Sequence, residues 1–192
     1  AGLNRARIRV EIEWLIWLAE KDLLGTNSKI SAQEAKALRA LGAEDFDDSS
    51  VAELAKLEAT TRHDVKAVEY FIRGALSQLG RDDLAELVHF GCTSEDINNL
   101  SYAITVSDAV SQAWLPKAQA LVSKLKKLSL ELAEVPMLSR THGQPATPTT
   151  MGKELAVFVH RLGRQLKRIE SQEYLGKFSG ATGTFSAHVV AA

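Results

Sequence analysis

The 192-residue sequence contains one cysteine, four prolines and no marked excess of either charge. Cys92 has no partner for an intrachain disulfide, and no Cys/His spacing suggests a zinc site, so we expect a reducing compartment and no bound metal. With 23 Lys and Arg against 24 Asp and Glu, the formal net charge of -1 provides no general attraction to phosphate backbones or anionic lipid. We therefore expect neither nucleic acid nor a membrane as a partner.

Long apolar runs are also missing from the sequence. The apolar run at residues 14–19 is far shorter than the roughly 20 residues that span a bilayer, and no basic-then-apolar leader opens the chain. These absences predict a cytoplasmic protein. Because the first residue is Ala1 rather than Met and the last residues are apolar with no stop signal, we expect the chain to be a piece of a longer protein.

Apolar residues recur at helical spacing along most of the chain. The first such pattern predicts a helix that ends at Gly25, and the apolar residues on its second side predict burial between elements or subunits. The main face consists of Ile8, Ile12, Leu15, Ile16, Ala19 and Leu23, and the second side of Trp14, Trp17 and Leu18.

Pairs of polar residues three positions apart predict the starts of further helices, because the first side chain can accept a hydrogen bond from the backbone N–H of the second. The longest periodic stretch follows the last pair and is interrupted only by Pro116, which predicts a kink or a restart. The pairs are Ser31 and Glu34, Ser50 and Glu53, Thr61 and Asp64, and Thr93 and Asp96.

The second half of the chain predicts two long helices separated by a loop. Residues 136–148 are rich in proline and are predicted to form that loop, and an amphipathic helix is predicted from Met151 to Ile169. We expect the two helices to pair antiparallel. Since no alternating apolar run predicts a strand, the fold class is all-α. We divide it into an N-terminal helical domain, residues 1–91, and the first part of a long-helix bundle domain, residues 92–192.

Residues that suit chemistry lie where helices are predicted to begin. His63, between Arg62 and Asp64, lies beside a helix N-terminus, where exposed N–H groups and the positive end of the macrodipole attract an anion. Thr93 and Ser94 offer two hydroxyls at the start of the next helix, a cradle for a carboxylate or phosphate. Taken alone, either segment is also explained by ordinary helix capping.

Two later segments also contain residues that suit chemistry. In residues 139–148, two prolines block a helix and Gly143 permits close backbone approach beside His142, so this segment favours a functional role. A second loop combines Lys177 with two glycines, which is weak evidence by itself. The remaining histidines are interpreted as structural or surface residues, namely His89, His160 and His188.

Taken together, four segments of the chain resemble the adenylosuccinate lyase family, bacterial-type branch, of the fumarase/aspartase superfamily. The resemblance covers essentially the whole chain, because the order of the segments and the lengths of the intervening helices also match. No single segment would by itself be specific to this family. The four are Thr61-Arg62-His63-Asp64, Thr93-Ser94-Glu95-Asp96, Thr141 through Pro148, and Lys177 through Gly183.

The resemblance implies a fumarase/aspartase-like all-α fold and a lyase without a cofactor. Such an enzyme splits adenylosuccinate into AMP and fumarate, and SAICAR of purine synthesis into AICAR and fumarate, both by anti β-elimination. The resemblance implies that His142 is the general acid for the departing nitrogen and that His63 binds and orients the substrate. The implied substrate-binding residues are Arg62, Asp64, Thr93, Ser94, Thr141, Gln144 and Lys177.

The resemblance also implies parts that this sequence lacks. The family's general base is a serine within a Ser-Ser-x-Met-Pro-x-Lys-x-Asn signature, and an opening Arg-Tyr contacts the substrate phosphate; neither occurs here. Family members are homotetramers in which each active site is assembled from three subunits. We therefore expect negligible activity from this chain alone.

Two alternatives stay open. Another lyase of the superfamily, such as argininosuccinate lyase, aspartase or fumarase, would share the fold and the elimination but differ in the pocket for the leaving group. A non-catalytic all-α assembly module would also explain the apolar helix faces. Such a module would not require four polar residues to converge, namely His63, Thr93, Ser94 and His142.

Overall fold

The computed structural model describes residues 1–22 and 25–191, most of which are helical. They divide into two compact units: Ala1–Thr105 with Leu175–Ala192 form the first, and Val106–Tyr174 form the second. The all-α fold class is confirmed. The expected division into domains 1–91 and 92–192 stays a prediction. Within the described ranges, no helix has the length and apolar character needed to cross a membrane.

The helices and strands follow one another along the chain. They are α1 (Gly2–Lys21), α2 (Ala32–Ala40), α3 (Asp48–Thr61), α4 (Asp64–Gln78), a 3₁₀ helix (Asp82–Leu87), α5 (Ser94–Asp108), a π-helical segment (Ala109–Trp114), α6 (Leu115–Glu131), β1 (Pro136–Thr141), β2 (Gln144–Thr150), α7 (Met151–Glu170) and α8 (Ser186–Ala191).

The core of the first unit forms around α1. Ile8, Ile12 and Leu15 are fully buried, at the spacing that the sequence predicts. They belong to one apolar cluster with residues of α2, α4 and the 3₁₀ helix. Burial of each such side chain contributes roughly 1.5–3 kcal/mol, so this face of α1 holds the unit together. The predicted N-terminal helix is confirmed.

The end of α1 differs from the prediction. The helix ends at Lys21 and not at Gly25, because Asp22 adopts a left-handed backbone with a φ of 48° and its N–H donates to the Leu18 carbonyl. Aspartate tolerates this conformation better than most residues. Leu23, which we predicted on the buried face, lies outside the described residues.

The starts of α2 and α3 test the capping predictions. The box at Ser31 and Glu34 is confirmed: the Ser31 Oγ accepts the Glu34 N–H at 3.2 Å, and the Glu34 carboxylate accepts the Ser31 N–H at 2.8 Å. The prediction that Ser50 caps α3 is wrong. Asp47 is the cap, and its carboxylate accepts the Ser50 N–H at 3.0 Å. Asp47 lies three residues before Ser50, and aspartate caps a helix as well as serine does.

The second unit pairs the long helices α6 and α7. Pro116 lies in the first turn of α6, directly after the π-helical segment, so the predicted interruption is confirmed. The two helices approach closely at Gly152, whose N–H donates to the Leu132 carbonyl at 3.0 Å. An added Cβ at Gly152 would lie only 2.6 Å from the Ala133 Cα. Only glycine therefore fits this crossing.

Residues 136–148, predicted as a loop, instead form most of an antiparallel hairpin, so the loop prediction is wrong. β1 and β2 pair Pro136 with Thr150 at the open end and Thr141 with Gln144 at the turn. The prolines hide the strand pattern in the sequence. They are tolerated because each strand of a two-stranded ribbon has an outer edge, where a missing N–H costs no ladder hydrogen bond.

Candidate functional site

His63 lies in the tight connection between α3 and α4. Thr61 is the last residue of α3, and Arg62 reverses the chain with a φ of 52° in the left-handed region. His63 is the N-cap of α4, and its Nδ1 accepts the Lys66 backbone N–H at 3.1 Å. The prediction that Thr61 caps this helix is therefore wrong, because Thr61 still belongs to the last turn of the preceding helix.

This hydrogen bond determines which ring nitrogen of His63 faces outward. A nitrogen that accepts a backbone N–H carries no proton, so the neutral ring has its proton on Nε2. Nε2 lies 3.3 Å from the Ser94 Oγ, and the His63 side chain is 49% exposed. His63 therefore presents a hydrogen-bond donor at the start of α5.

Thr93 and Ser94 mark that start. Ser94 is the first residue of α5, which confirms the position of the predicted helix start. The hydrogen bonds differ from the prediction, because the Asp96 N–H donates to the Thr93 backbone carbonyl at 3.0 Å and the Thr93 N–H donates to the Asp96 carboxylate at 2.9 Å. Because His63 and Ser94 lie within hydrogen-bond distance, the N-termini of α4 and α5 are neighbours. The positive ends of both macrodipoles converge there, which favours a bound carboxylate or phosphate.

Arg7 of α1 is a buried cation that the sequence analysis missed. It is 5% exposed, pairs with the Asp64 carboxylate, and donates to the Asn98 Oδ1 at 2.9 Å. Burial acts to raise the pKa of Asp64, but the Val65 N–H and the Arg7 guanidinium outweigh it and lower that pKa. One signal was present in the sequence: Arg7 is the neighbour of Ile8, and Ile8 lies on the predicted buried face.

Lys177 lies beside α5 in the same unit. Its Nζ is 2.7 Å from the Asp96 Oδ1 and donates to the Gly180 carbonyl at 2.9 Å. Its backbone N–H donates to the Asn99 Oδ1 at 2.7 Å. The structure thus brings the segment around Lys177 to the helix start that carries Ser94.

His142 lies at the turn of the hairpin in the second unit. His142 and Gly143 have φ angles of 49° and 77°, the two left-handed positions that a type I′ hairpin turn requires. Thr141 and Gln144 close the turn, and all four residues are exposed. The His142 imidazole is therefore exposed on a tight turn of defined geometry. The left-handed backbone conformation of His142 is uncommon for residues other than glycine.

A buried cluster around His89 was not predicted. The His89 Nδ1 is 2.6 Å from the Glu11 Oε1, its Nε2 is 3.8 Å from the Glu69 Oε1, and Glu69 also accepts the Lys66 Nζ at 2.7 Å. Burial acts to lower the pKa of His89, but the Glu11 and Glu69 carboxylates outweigh it and raise that pKa. Burial also raises the pKa of Glu11. The signal in the sequence was a glutamate, Glu11, beside the apolar face of α1.

The predicted site residues thus fall into two groups. The first unit brings His63 and Ser94 into contact, and the second unit displays His142; that these groups meet stays a prediction. Throughout the described part of the chain, no three His, Cys, Asp or Glu side chains are grouped to hold a metal ion. The other members of the first group are Arg62, Asp64, Thr93 and Lys177, and of the second Thr141 and Gln144.

Known proteins resemble this chain in sequence and in fold. A family model described as "Lyase" matches residues 3–192. The chain is 42% identical to an adenylosuccinate lyase of Haemophilus influenzae and 40% identical to one of Escherichia coli (strain K12), and each match covers 99% of this chain and 42% of the relative. A fumarate lyase from Mesorhizobium sp. BNC1 matches with a TM-score of 0.75 at 20% identity, over 96% of this chain and 41% of that one.

A 3-carboxy-cis,cis-muconate lactonizing enzyme from Pseudomonas putida matches with a TM-score of 0.69 at 26% identity, over 98% of this chain and 42% of that one. The chain thus spans about two fifths of the length of the curated relatives that it matches. The family model covers nearly all of the chain, and the structural neighbours share its helical fold. The chain therefore belongs to the lyase family that this model describes, and its fold is fumarase/aspartase-like.

Proposed function

We propose that the protein to which this chain belongs is an adenylosuccinate lyase, which eliminates fumarate from adenylosuccinate to give AMP and from SAICAR to give AICAR. The observation that carries the proposal is 40–42% identity to three bacterial adenylosuccinate lyases over 99% of this chain. The contact between His63 and Ser94, which come from different sequence motifs, supports it.

An elimination of this kind removes a proton and an amine from neighbouring carbons. A base takes the proton from the carbon next to a carboxylate, which leaves additional negative charge on that carboxylate, while an acid protonates the departing nitrogen. His142 is the proposed acid, because an imidazole gains and loses a proton near neutral pH. The proposed base is the family's loop serine, whose signature does not occur in these 192 residues.

His63 and the start of α5 are proposed to hold the succinyl part of the substrate. The Nε2–H of His63 supplies one hydrogen-bond donor, and Ser94 supplies a hydroxyl beside it. The N-termini of α4 and α5 add positive partial charge where negative charge grows in the transition state. The other residues proposed for the substrate site are Arg62, Asp64, Thr93, Thr141, Gln144 and Lys177.

We also propose that the complete protein is a cytoplasmic homotetramer, in which the two groups of site residues meet between subunits. Exposed apolar side chains on α6 and α7 support assembly through these helices; they include Leu121, Leu130 and Phe158. The chain by itself is then inactive, because loss of one member of a catalytic unit removes most of the rate gain.

The test is a fumarate-release assay on the product of the complete reading frame, with adenylosuccinate, argininosuccinate and aspartate offered separately. The proposal expects release from adenylosuccinate at least about 100-fold faster than from the other two. Selective release from argininosuccinate or aspartate would assign a different lyase of the superfamily. Absence of release from all three would overturn the proposal and leave fumarase and the assembly module as the remaining alternatives.

A further inference from the structure

Asp96, in the first turn of α5, is a fully buried carboxylate. Its hydrogen-bond donors come from two distant parts of the chain. At the helix start, the Thr93 N–H donates to Oδ2 at 2.9 Å. From the C-terminal segment, the Ser179 N–H donates to Oδ1 at 3.0 Å and the Gly180 N–H to Oδ2 at 3.1 Å. The Lys177 Nζ completes the set, 2.7 Å from Oδ1.

Asn99, one turn further along α5, holds the same segment. Its Oδ1 accepts the Lys177 N–H at 2.7 Å, and its Nδ2 donates to the Lys177 carbonyl at 2.9 Å. Gly176 packs so closely on Leu100 that a Cβ there would overlap the leucine side chain. Residues 176–180 are therefore fixed to α5 through their backbone as well as through the Lys177 ammonium.

The negative charge of Asp96 matches these donors. Burial acts to raise the pKa of Asp96, but the Lys177 ammonium and the Thr93 and Ser179 N–H groups outweigh it and lower that pKa. Burial of a carboxylate costs free energy unless it is paired and fully hydrogen-bonded, and here each oxygen has two donors. Residues 176–180 therefore cannot leave α5 without leaving the Asp96 carboxylate unpaired.

We propose that Asp96 is a positioning residue for the proposed elimination, because it clamps residues 177–180 against the start of α5 and so fixes Ser94 and the neighbouring loop as one substrate-binding surface. This inference rests on the proposed function. Lys177 takes part through its ion pair with Asp96. Asp96 is buried and acts through the residues that it holds, without touching the substrate itself.

The kinetic test uses Asp96→Asn in the complete protein, a change that keeps the size of the side chain and removes its charge. We expect KM for adenylosuccinate to rise about tenfold and kcat to fall by a smaller factor, because a displaced α5 start weakens substrate binding and part of the transition-state stabilisation, while the proposed acid, His142, is unchanged. Asp48→Asn makes the same change at an exposed residue in the first turn of α3 and leaves both constants unchanged.

A second control separates positioning from loss of stability. Ile72→Val removes one methyl group from the fully buried core of the same unit, which lowers its stability. It is expected to leave KM unchanged at temperatures well below unfolding. An equal rise of KM in Ile72→Val and in Asp96→Asn would overturn the positioning role.

Amide hydrogen exchange measures directly how firmly Asp96 holds residues 177–180. This measurement does not depend on activity. The Ser179 and Gly180 amides are expected to exchange at least about tenfold faster in Asp96→Asn than in the wild type, since each loses a charge-assisted acceptor. Retained protection of both amides, or unprotected amides with an unchanged KM, would overturn the proposal. If the wild-type protein releases no fumarate from adenylosuccinate, the proposed function fails, and this role fails with it even where the amides respond as expected.

Discussion

The Nε2 of His63 lies 3.3 Å from the Ser94 Oγ, while the Nδ1 of the same ring accepts the Lys66 backbone N–H at 3.1 Å. One ring therefore has two separable roles. Its inner nitrogen caps α4, and its outer nitrogen faces the start of α5, where we propose that substrate binds. Because the cap needs only an acceptor at the position of Nδ1, a substitution can keep one role and remove the other.

His63→Asn is expected to preserve α4 and to damage the site. The asparagine oxygen replaces Nδ1, and asparagine is a preferred N-cap residue, so the free energy of unfolding should stay within about 0.5 kcal/mol of wild type. No atom remains at the position of Nε2. The kcat/KM for adenylosuccinate in the complete protein should therefore fall about 10- to 100-fold.

His63→Ala is the matched variant, since it removes both nitrogens. It should lose activity like His63→Asn and should also lose about 1 kcal/mol of stability in denaturant titrations. Full activity in His63→Asn would reduce His63 to a helix cap. Equal instability of the two variants would contradict the capping role.

The close approach of α6 and α7 predicts opposite effects at two glycines of α7. In Gly152→Ala the new Cβ would lie 2.6 Å from the Ala133 Cα, so the helices must move apart. Overpacking of this kind costs about 1–3 kcal/mol, which thermal unfolding should record as a lower Tm. An unchanged Tm would contradict the packing of these two helices.

Gly163→Ala is the control in the same helix. An added Cβ at Gly163 meets no described atom within 4 Å. Alanine is the better helix former by up to about 1 kcal/mol, so this variant should be as stable as wild type or more stable. A loss of stability as large as that of Gly152→Ala would show that the two sites do not differ in packing.

The cluster of buried Glu11 and Glu69 with the largely buried His89 predicts how stability depends on pH. The pKa of His89 is raised in the folded state above its ordinary value of 6.5, chiefly because the Glu11 hydrogen bond and the carboxylate charges outweigh the effect of burial. The stability that His89 contributes is therefore fully present below about 6.5 and is lost as pH rises through the folded pKa. Urea titrations from pH 6 to pH 9 should show a decreasing free energy of unfolding.

The raised pKa of Glu11 acts in the same direction, from its ordinary value of 4.5 upward. A double variant, Glu11→Gln with His89→Gln, removes both titrating groups and avoids leaving either one unpaired. Its free energy of unfolding should vary less between pH 6 and pH 9 than that of the wild type. A wild type that gains stability over this range would contradict the assignment.

Much of the fold could be predicted from local patterns, because helical periodicity depends on residues only three or four positions apart. That suffices for α1 and for the pair of long helices. It fails for the hairpin, where Pro145 and Pro148 remove the alternating strand pattern, and a two-stranded ribbon tolerates them. It also fails at Asp47 and Ser50, because either residue is a good cap and only the structure shows which one is used.

Local patterns also predict one part of the candidate site and miss another part. His63 and Ser94 could be found from local motifs, since both lie at helix starts. The pairing of Arg7 with Asp64 spans 57 residues, and that of Asp96 with the Ser179 N–H spans 83. No local pattern indicates such partners, and they exist only because buried charges must be compensated once the chain has folded.

The central claim is that the His142 imidazole protonates the departing nitrogen, and the most direct measurement is kcat for fumarate release by the complete protein carrying His142→Gln. The account predicts a fall of about 100-fold or more with KM changed by only a few fold, since a general acid contributes about 10²–10⁴ to the rate. His160→Gln, at an exposed histidine of α7 in the same unit, should leave kcat unchanged. Undiminished turnover in His142→Gln would contradict the account.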